Sequence, residues 1–176
     1  MGYAKLYDSW KSDPEAFWMK AAEAINWDKA PSFALNDTKA PLYEWYTDAM
    51  VNTCFNAVDR HVNAGRGEQA AIIYDSPITN TKQHISFAEL LEKTANLAGA
   101  LRAQGIQKGD RVIIYMPMVP DALVSMLACA RIGAIHSVVF GGFAANELAV
   151  RIDDAKPKAI LAASCGIEPE RVISYK

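Results

Sequence analysis

Apolar residues recur at two different spacings along this chain, and the change between them marks out its elements. Near the N-terminus Phe17, Trp18, Ala21, Ala22 and Ile25 fall at helical spacing. Ser12-Asp13-Pro14-Glu15 stands before them as a start signal: Ser12 can cap, Glu15 lies three residues on, and Pro14 suits a first turn. Residues 26–42, with Pro31 and Pro41, read as an extended wrap. Asn52 can cap a second helix with Phe55, Val58 and Val62 on one face and Gly65 at its exit.

From about residue 68 onward, apolar runs alternate with helical patterns. A strand is predicted over 70–74, a polar turn over 75–81 and a returning hairpin partner over 83–85. Ser86-Phe87-Ala88-Glu89 is a capping box, and the helix it opens puts Phe87, Leu90, Leu91, Thr94, Leu97, Ala98 and Leu101 on one face before Gly105 ends it. Gly109-Asp110 turns into a strand over 111–115. A helix over 121–132 follows, with Gly133 past its end, then a strand over 134–140, a helix over 146–154 and a strand over 158–163. Strands and helices alternating in units of this length imply parallel strands with right-handed crossovers. The expected fold class is α/β: a partial parallel-sheet domain over 68–176 behind an aromatic-rich, largely helical N-terminal extension over 1–67.

Composition narrows the function classes. The chain has 176 residues, 51% hydrophobic and 22% charged, with a net charge of −2, an ordinary globular composition. No basic excess points to nucleic acid or to a membrane surface. The aromatics of the first fifty residues are not interleaved with basic residues, so they read as packing rather than as a base-stacking surface. The longest apolar stretch, 122–139, is interrupted by Ser125, Arg131, Gly133, His136 and Ser137 and falls short of a membrane span. Asp8, Lys11, Asp13 and Glu15 break any signal-peptide core. Cys54, Cys129 and Cys165 are far apart, with no Cys-x-x-Cys, and read as reduced thiols in a cytoplasmic protein, or a mitochondrial-matrix one if the source is eukaryotic.

Single residues carry little chemistry alone. Arg131 reads as a cation meeting the last carbonyls of its helix. Arg151 and Asp154 read as a surface pair, His136 as a hydrogen-bonded core histidine and His84 as an exposed strand residue. Asp59-Arg60-His61 has no nucleophile placed near it, and no metal-ligand cluster is expected. Gly-x-Gly-x-x-Gly and Gly-x-x-x-x-Gly-Lys-Ser/Thr are both absent, which disfavours a nicotinamide or P-loop reading. Phe140-Gly141-Gly142-Phe143 sits between a strand and a helix. Ligands in open α/β sheets lie beyond the carboxyl ends of strands, and glycines let them approach the backbone.

Longer strings carry a resemblance. Tyr115-Met116-Pro117-Met118-Val119-Pro120, the run Met126 to Phe143 (MLACARIGAIHSVVFGGF) and Asn56-Ala57-Val58-Asp59-Arg60-His61 resemble the acetyl- and propionyl-CoA synthetases of the adenylate-forming enzymes. Arg151-Ile152-Asp153-Asp154-Ala155-Lys156-Pro157-Lys158 and Gly166-Ile167-Glu168-Pro169 resemble the propionyl branch more closely.

The resemblance implies a ligase of small-molecule substrates: ATP, with Mg, and a short-chain carboxylate give an acyl-adenylate and pyrophosphate, and CoA then displaces AMP. It implies CoA contacts at Phe140, Gly141 and Gly142 and a structural role for Asp59-Arg60-His61. The acetyl branch carries two arginines, in the loop after the 158–163 strand, that meet the CoA 3′-phosphate. Arg171 matches the second, whereas Glu168, of opposite charge, stands at the first. The family's Ser/Thr/Gly-rich phosphate loop, ending near a Lys, is absent, as are its acyl pocket and the Lys of its C-terminal domain. The chain is therefore expected to be an inactive piece of a longer ligase, with its ATP site and catalytic residues elsewhere in the same polypeptide. The acetate-specific enzyme and a stand-alone CoA-binding module are the alternatives. A strand left open at 158–163 is expected to make the piece self-associate.

Overall fold

The computed structural model describes residues 2–141 and 145–175. They fall into two compact units, 1–52 and 53–176.

In the first unit, α1 (Tyr3–Ser12) and α2 (Pro14–Ala22) follow one another across Asp13. The sequence pattern predicts one helix capped by Ser12. In the structure Ser12 ends α1, with its hydroxyl bonded to the Ser9 carbonyl, and Asp13 is the cap, accepting from the Ala16 N–H at 2.9 Å. Pro14 explains the break: the residue before a proline is driven out of helical geometry, and Asp13 has φ −151° and ψ 87°. The segment that follows is extended, with β1 (Leu35–Asn36) pairing β2 (Glu44–Trp45) and a single antiparallel bridge joining Lys29 to Met50. Glu15 reaches back to it and accepts from the Ala34 N–H at 2.6 Å. Edge-to-face contact of Trp18 on Trp45 and a tilted contact of Trp27 on Tyr46 hold the wrap together.

The second unit opens with two π-helical turns, Phe55–Asp59 and Val62–Arg66, and Gly65 exits at φ 78°. A hairpin of β3 (Ala70–Ser76) and β4 (Thr81–Ser86) follows. Its last residue, Ser86, caps α3 (Phe87–Ala103): the hydroxyl accepts from the Glu89 N–H while the Glu89 carboxylate accepts from the Ser86 N–H. Then come β5 (Arg111–Met116), α4 (Pro120–Ile132), β6 (Ile135–Phe140), α5 (Ala145–Ala155) and β7 (Ala159–Ala162). Gly133 ends α4 in the left-handed region at φ 73°. A Cβ there would also lie 2.9 Å from Lys108 Cγ, so glycine is required twice over. The chain closes with a hairpin, β8 (Cys165–Glu168) against β9 (Arg171–Ser174), where the resemblance implies a loop.

β5, β6 and β7 form a parallel sheet in the order β6–β5–β7. The central strand is covered on both faces, as its unbroken apolar run demands. Val112 belongs to a cluster with Ala98, Leu101, Ala128, Cys129 and Ile132 of α3 and α4. Ile113 and Tyr115 point the other way, to Val139 with Leu148 and Ile152 of α5. The two crossover helices therefore lie on opposite faces, and the carboxyl ends of the strands emerge between them.

Candidate functional site

The candidate site lies at those carboxyl ends. Phe140 closes β6 beside Met116 of β5. The side chain of Phe140 and the whole of Gly142 lie outside the described residues. Gly141 is buried directly beyond the strand. Its place is set from the other side by Tyr175, whose hydroxyl a Cβ on Gly141 would strike. The ring carbon bearing that hydroxyl would be 2.8 Å away.

Arg171 opens β9, opposite Glu168 at the end of β8, with Pro169 and Glu170 turning between them. This register brings the two side chains together: Arg171 Nε donates to Glu168 Oε2 at 2.7 Å. Both are exposed, at 70% and 46% of the side chain. The Glu168 carboxylate raises the Arg171 pKa further, so the guanidinium stays charged. The bond uses Nε, and the Nη groups have no side-chain partner among the described residues. A carboxylate in place of a second arginine thus ends up paired with the remaining arginine rather than facing a ligand alone.

Other sequence readings change once the contacts are known. Arg131 does more than meet helix carbonyls. It makes a bidentate bridge to Asp59, 2.8 Å on each arm, and its Nη1 lies 3.6 Å from Cys54 Sγ. Asp59 of the Asn56–His61 string is thereby a structural anchor tying the π-helical turns to α4. Arg151 pairs with Glu147, one turn back, at 3.0 Å. His136 is exposed, not in the core, because β6 is an outer strand. Cys54 and Cys129 are buried, and burial pushes the Cys129 thiol up to about 11 and Cys54 upward as well.

The residue that sequence reasoning misses is Tyr175. Its ring packs on Tyr115 with centroids 4.8 Å apart, and its N–H donates to the Ser164 carbonyl at 3.0 Å. A signal is present: two four-residue runs, Cys165–Glu168 and Arg171–Ser174, flank Pro169-Glu170, which is a hairpin pattern that leads the chain back to the sheet.

A parallel sheet with helices on both faces defines an α/β protein, the class in which ligands generally lie beyond the carboxyl ends of the strands. Comparison with known proteins narrows that class. The family model for the AMP-binding enzyme matches residues 58–174, and that for the acetyl-coenzyme A synthetase N-terminus matches 3–57. The chain belongs to the AMP-binding enzyme family, with an N-terminus of the acetyl-coenzyme A synthetase type. It is 55% identical to acyl-CoA synthetase short-chain family member 3, mitochondrial, of Bos taurus over 93% of its length, and 56% identical to the Mus musculus protein of the same name over the same share. It is 44% identical to acetyl-coenzyme A synthetase of Streptomyces avermitilis, again over 93%. The chain spans about a quarter of the length of these relatives: 24% of the first two and 25% of the third. Among the described residues no helix is long and apolar enough to cross a membrane, and no group of three or more His, Cys, Asp or Glu is placed to hold a metal ion.

Proposed function

We propose that these residues are the N-terminal portion of a propionate–CoA ligase, which joins a short-chain carboxylate to CoA through an acyl-adenylate. One observation carries the reading: two family matches, 3–57 and 58–174, meet end to end and leave almost nothing of the chain unassigned. Residues 1–67 form its aromatic-rich extension and 68–176 the start of its adenylation domain. Phe140, Gly141 and Gly142 border the nucleotide end of CoA, and Arg171 meets its 3′-phosphate. The buried Gly141 backbone at the end of β6 and the paired, charged Arg171 on its hairpin suit an anionic ligand lying across the strand ends. ATP, with its Mg ion, and the carboxylate are substrates held by segments outside these 176 residues, since no Ser/Thr/Gly-rich loop with a following Lys occurs here. Alone, the piece is inactive, because neither positioning nor charge stabilisation of the transferring group is available. The enzyme is placed in the cytoplasm, or in the mitochondrial matrix of a eukaryote.

The likeness of residues 151–158 and 166–169 to the propionyl branch supports propionate as the acid. The match to an acetyl-coenzyme A synthetase favours acetate as the second reading. One methylene in an apolar pocket is worth about 1–3 kcal/mol, or roughly 10–200-fold in kcat/KM. Pyrophosphate release with ATP and either acid, in the 176-residue chain and in the full-length protein, tests the proposal. We expect no turnover from the short chain, and the higher kcat/KM for propionate from the full-length protein. A full-length protein that activates neither acid contradicts the ligase assignment, and a preference for acetate contradicts the choice of acid.

A further inference from the structure

Tyr175 stands immediately after the hairpin that carries Arg171, yet its side chain is committed to the sheet. Its ring lies on Tyr115 of β5 and joins the cluster of Ile113, Tyr115 and Val139 with Leu148 and Ile152. Its hydroxyl fills the space beside two buried glycines. One is Gly141, the turn beyond β6, and the other is Gly166, within β8. A Cβ on either glycine would strike that hydroxyl. Neither glycine has a positive φ, so backbone conformation does not call for glycine at either position. The close approach of the phenol does.

We propose that Tyr175 is a positioning residue: it locks the Arg171 hairpin to the Gly141 turn, so that the two candidate CoA-contacting segments are presented as one rigid surface. The inference rests on the CoA reading of Gly141 and Arg171 given above. The Tyr175 N–H bond to the Ser164 carbonyl only continues the β8–β9 ladder, so it holds the hairpin to itself, whereas the Tyr175 ring is what reaches the sheet. A guanidinium on a loosely held hairpin gives up ordering entropy when it meets a phosphate, and that loss appears as weaker CoA binding, not as slower activation of the acid.

The geometry also predicts an asymmetric rescue. A Cβ on Gly166 would lie 3.0 Å from the ring carbon bearing the hydroxyl and 3.4 Å from its neighbour, whereas on Gly141 the ring carbons would be at 2.8 and 2.9 Å. Removing the hydroxyl therefore leaves Gly166 needing only a shift of a few tenths of an ångström from the ring, whereas at Gly141 two ring carbons would still lie under 3.0 Å.

The experiment uses the full-length protein, with KM for CoA read from acyl-CoA formation and acid activation read separately from acid-dependent ATP–pyrophosphate exchange without CoA. Tyr175→Phe, which keeps the ring on Tyr115, should stay within about twofold of wild type. Tyr175→Ala and Gly166→Ala should each raise KM for CoA about three- to tenfold more than they change the exchange rate, and Gly166→Ala combined with Tyr175→Phe should recover most of that loss. Gly141→Ala combined with Tyr175→Phe should not recover. If Arg171→Ala raises KM for CoA while Tyr175→Ala and Gly166→Ala leave it unchanged, the lock is refuted and the CoA reading stands. If Arg171→Ala also leaves it unchanged, the CoA reading fails and takes the lock with it. A Gly166→Ala defect that Tyr175→Phe leaves in place overturns the lock whatever the single variants do to folding.

Discussion

Asp59 and Arg131 are 14% and 29% exposed at the side chain, and each satisfies the other through two bonds. Thr94 is fully buried in α3, and its hydroxyl has no hydrogen-bond partner among the described residues. The same kind of substitution should therefore act in opposite directions at the two places. Asp59→Asn leaves a largely buried guanidinium without its counter-charge, and hydrogen bonds to charged groups are worth about 1.5–3 kcal/mol, so urea unfolding should show a loss of that size. Thr94→Val removes a hydroxyl that is desolvated for no return, keeps the shape and leaves helix propensity unchanged. It should raise stability by about 1 kcal/mol. A stabilising Asp59→Asn or a destabilising Thr94→Val would show that these side chains have other partners in solution.

At the scale of elements, the entry to β5 depends on one carboxylate. Asp110 accepts from the Gln107 N–H at 2.7 Å and from Lys158 Nζ at 3.0 Å, and Lys158 also donates to the Gly105 carbonyl that ends α3. The backbone bond from Gln107, then the lysine, lowers the Asp110 pKa below its usual value. A carboxyl whose folded pKa is depressed contributes stability above its unfolded pKa, about 3.9, and loses it as pH falls through the folded value. Wild type should therefore exceed Asp110→Asn in stability at pH 7, and the margin should shrink below about pH 4. Urea midpoints of both proteins at pH 7 and pH 3 give the comparison; a margin that stays the same would mean the carboxylate is unpaired, and one that widens in acid would mean its folded pKa is raised rather than lowered.

For the whole molecule, the open sheet matters most. β6 and β7 are its outer strands among the described residues, and Ile135, Val138 and Ile160 on them are 55%, 52% and 43% exposed. Parallel sheets are normally covered on both faces and bounded by further strands. Exposed apolar edges invite pairing with another chain. The 176-residue chain by itself should therefore scatter light as oligomers at micromolar concentration, increasingly so at high salt, where charge repulsion is screened. A monodisperse monomer with a sharp thermal transition would establish these residues as a self-sufficient domain.

Features with a local cause are legible in the sequence alone. The Ser86–Glu89 capping box, the Gly133 stop, the 70–74 and 83–85 hairpin strands and the parallel alternation from Arg111 onward all follow from residues within a few positions of each other or from one periodicity. Asp13 rather than Ser12 is the cap because Pro14 takes the first helical position and forces the residue before it out of the helix. The terminal hairpin is hard to tell from a loop because its two runs are only four residues each. The family is legible too, since long strings match it directly. The Asp59–Arg131 bridge joins residues 72 positions apart, and nothing in the spacing of either marks the other. Nor does the sequence say that one phenol accounts for both Gly141 and Gly166, or that Glu168 faces Arg171. Those relations depend on which segments the sheet order and the hairpin register bring together, and only the packed chain decides that.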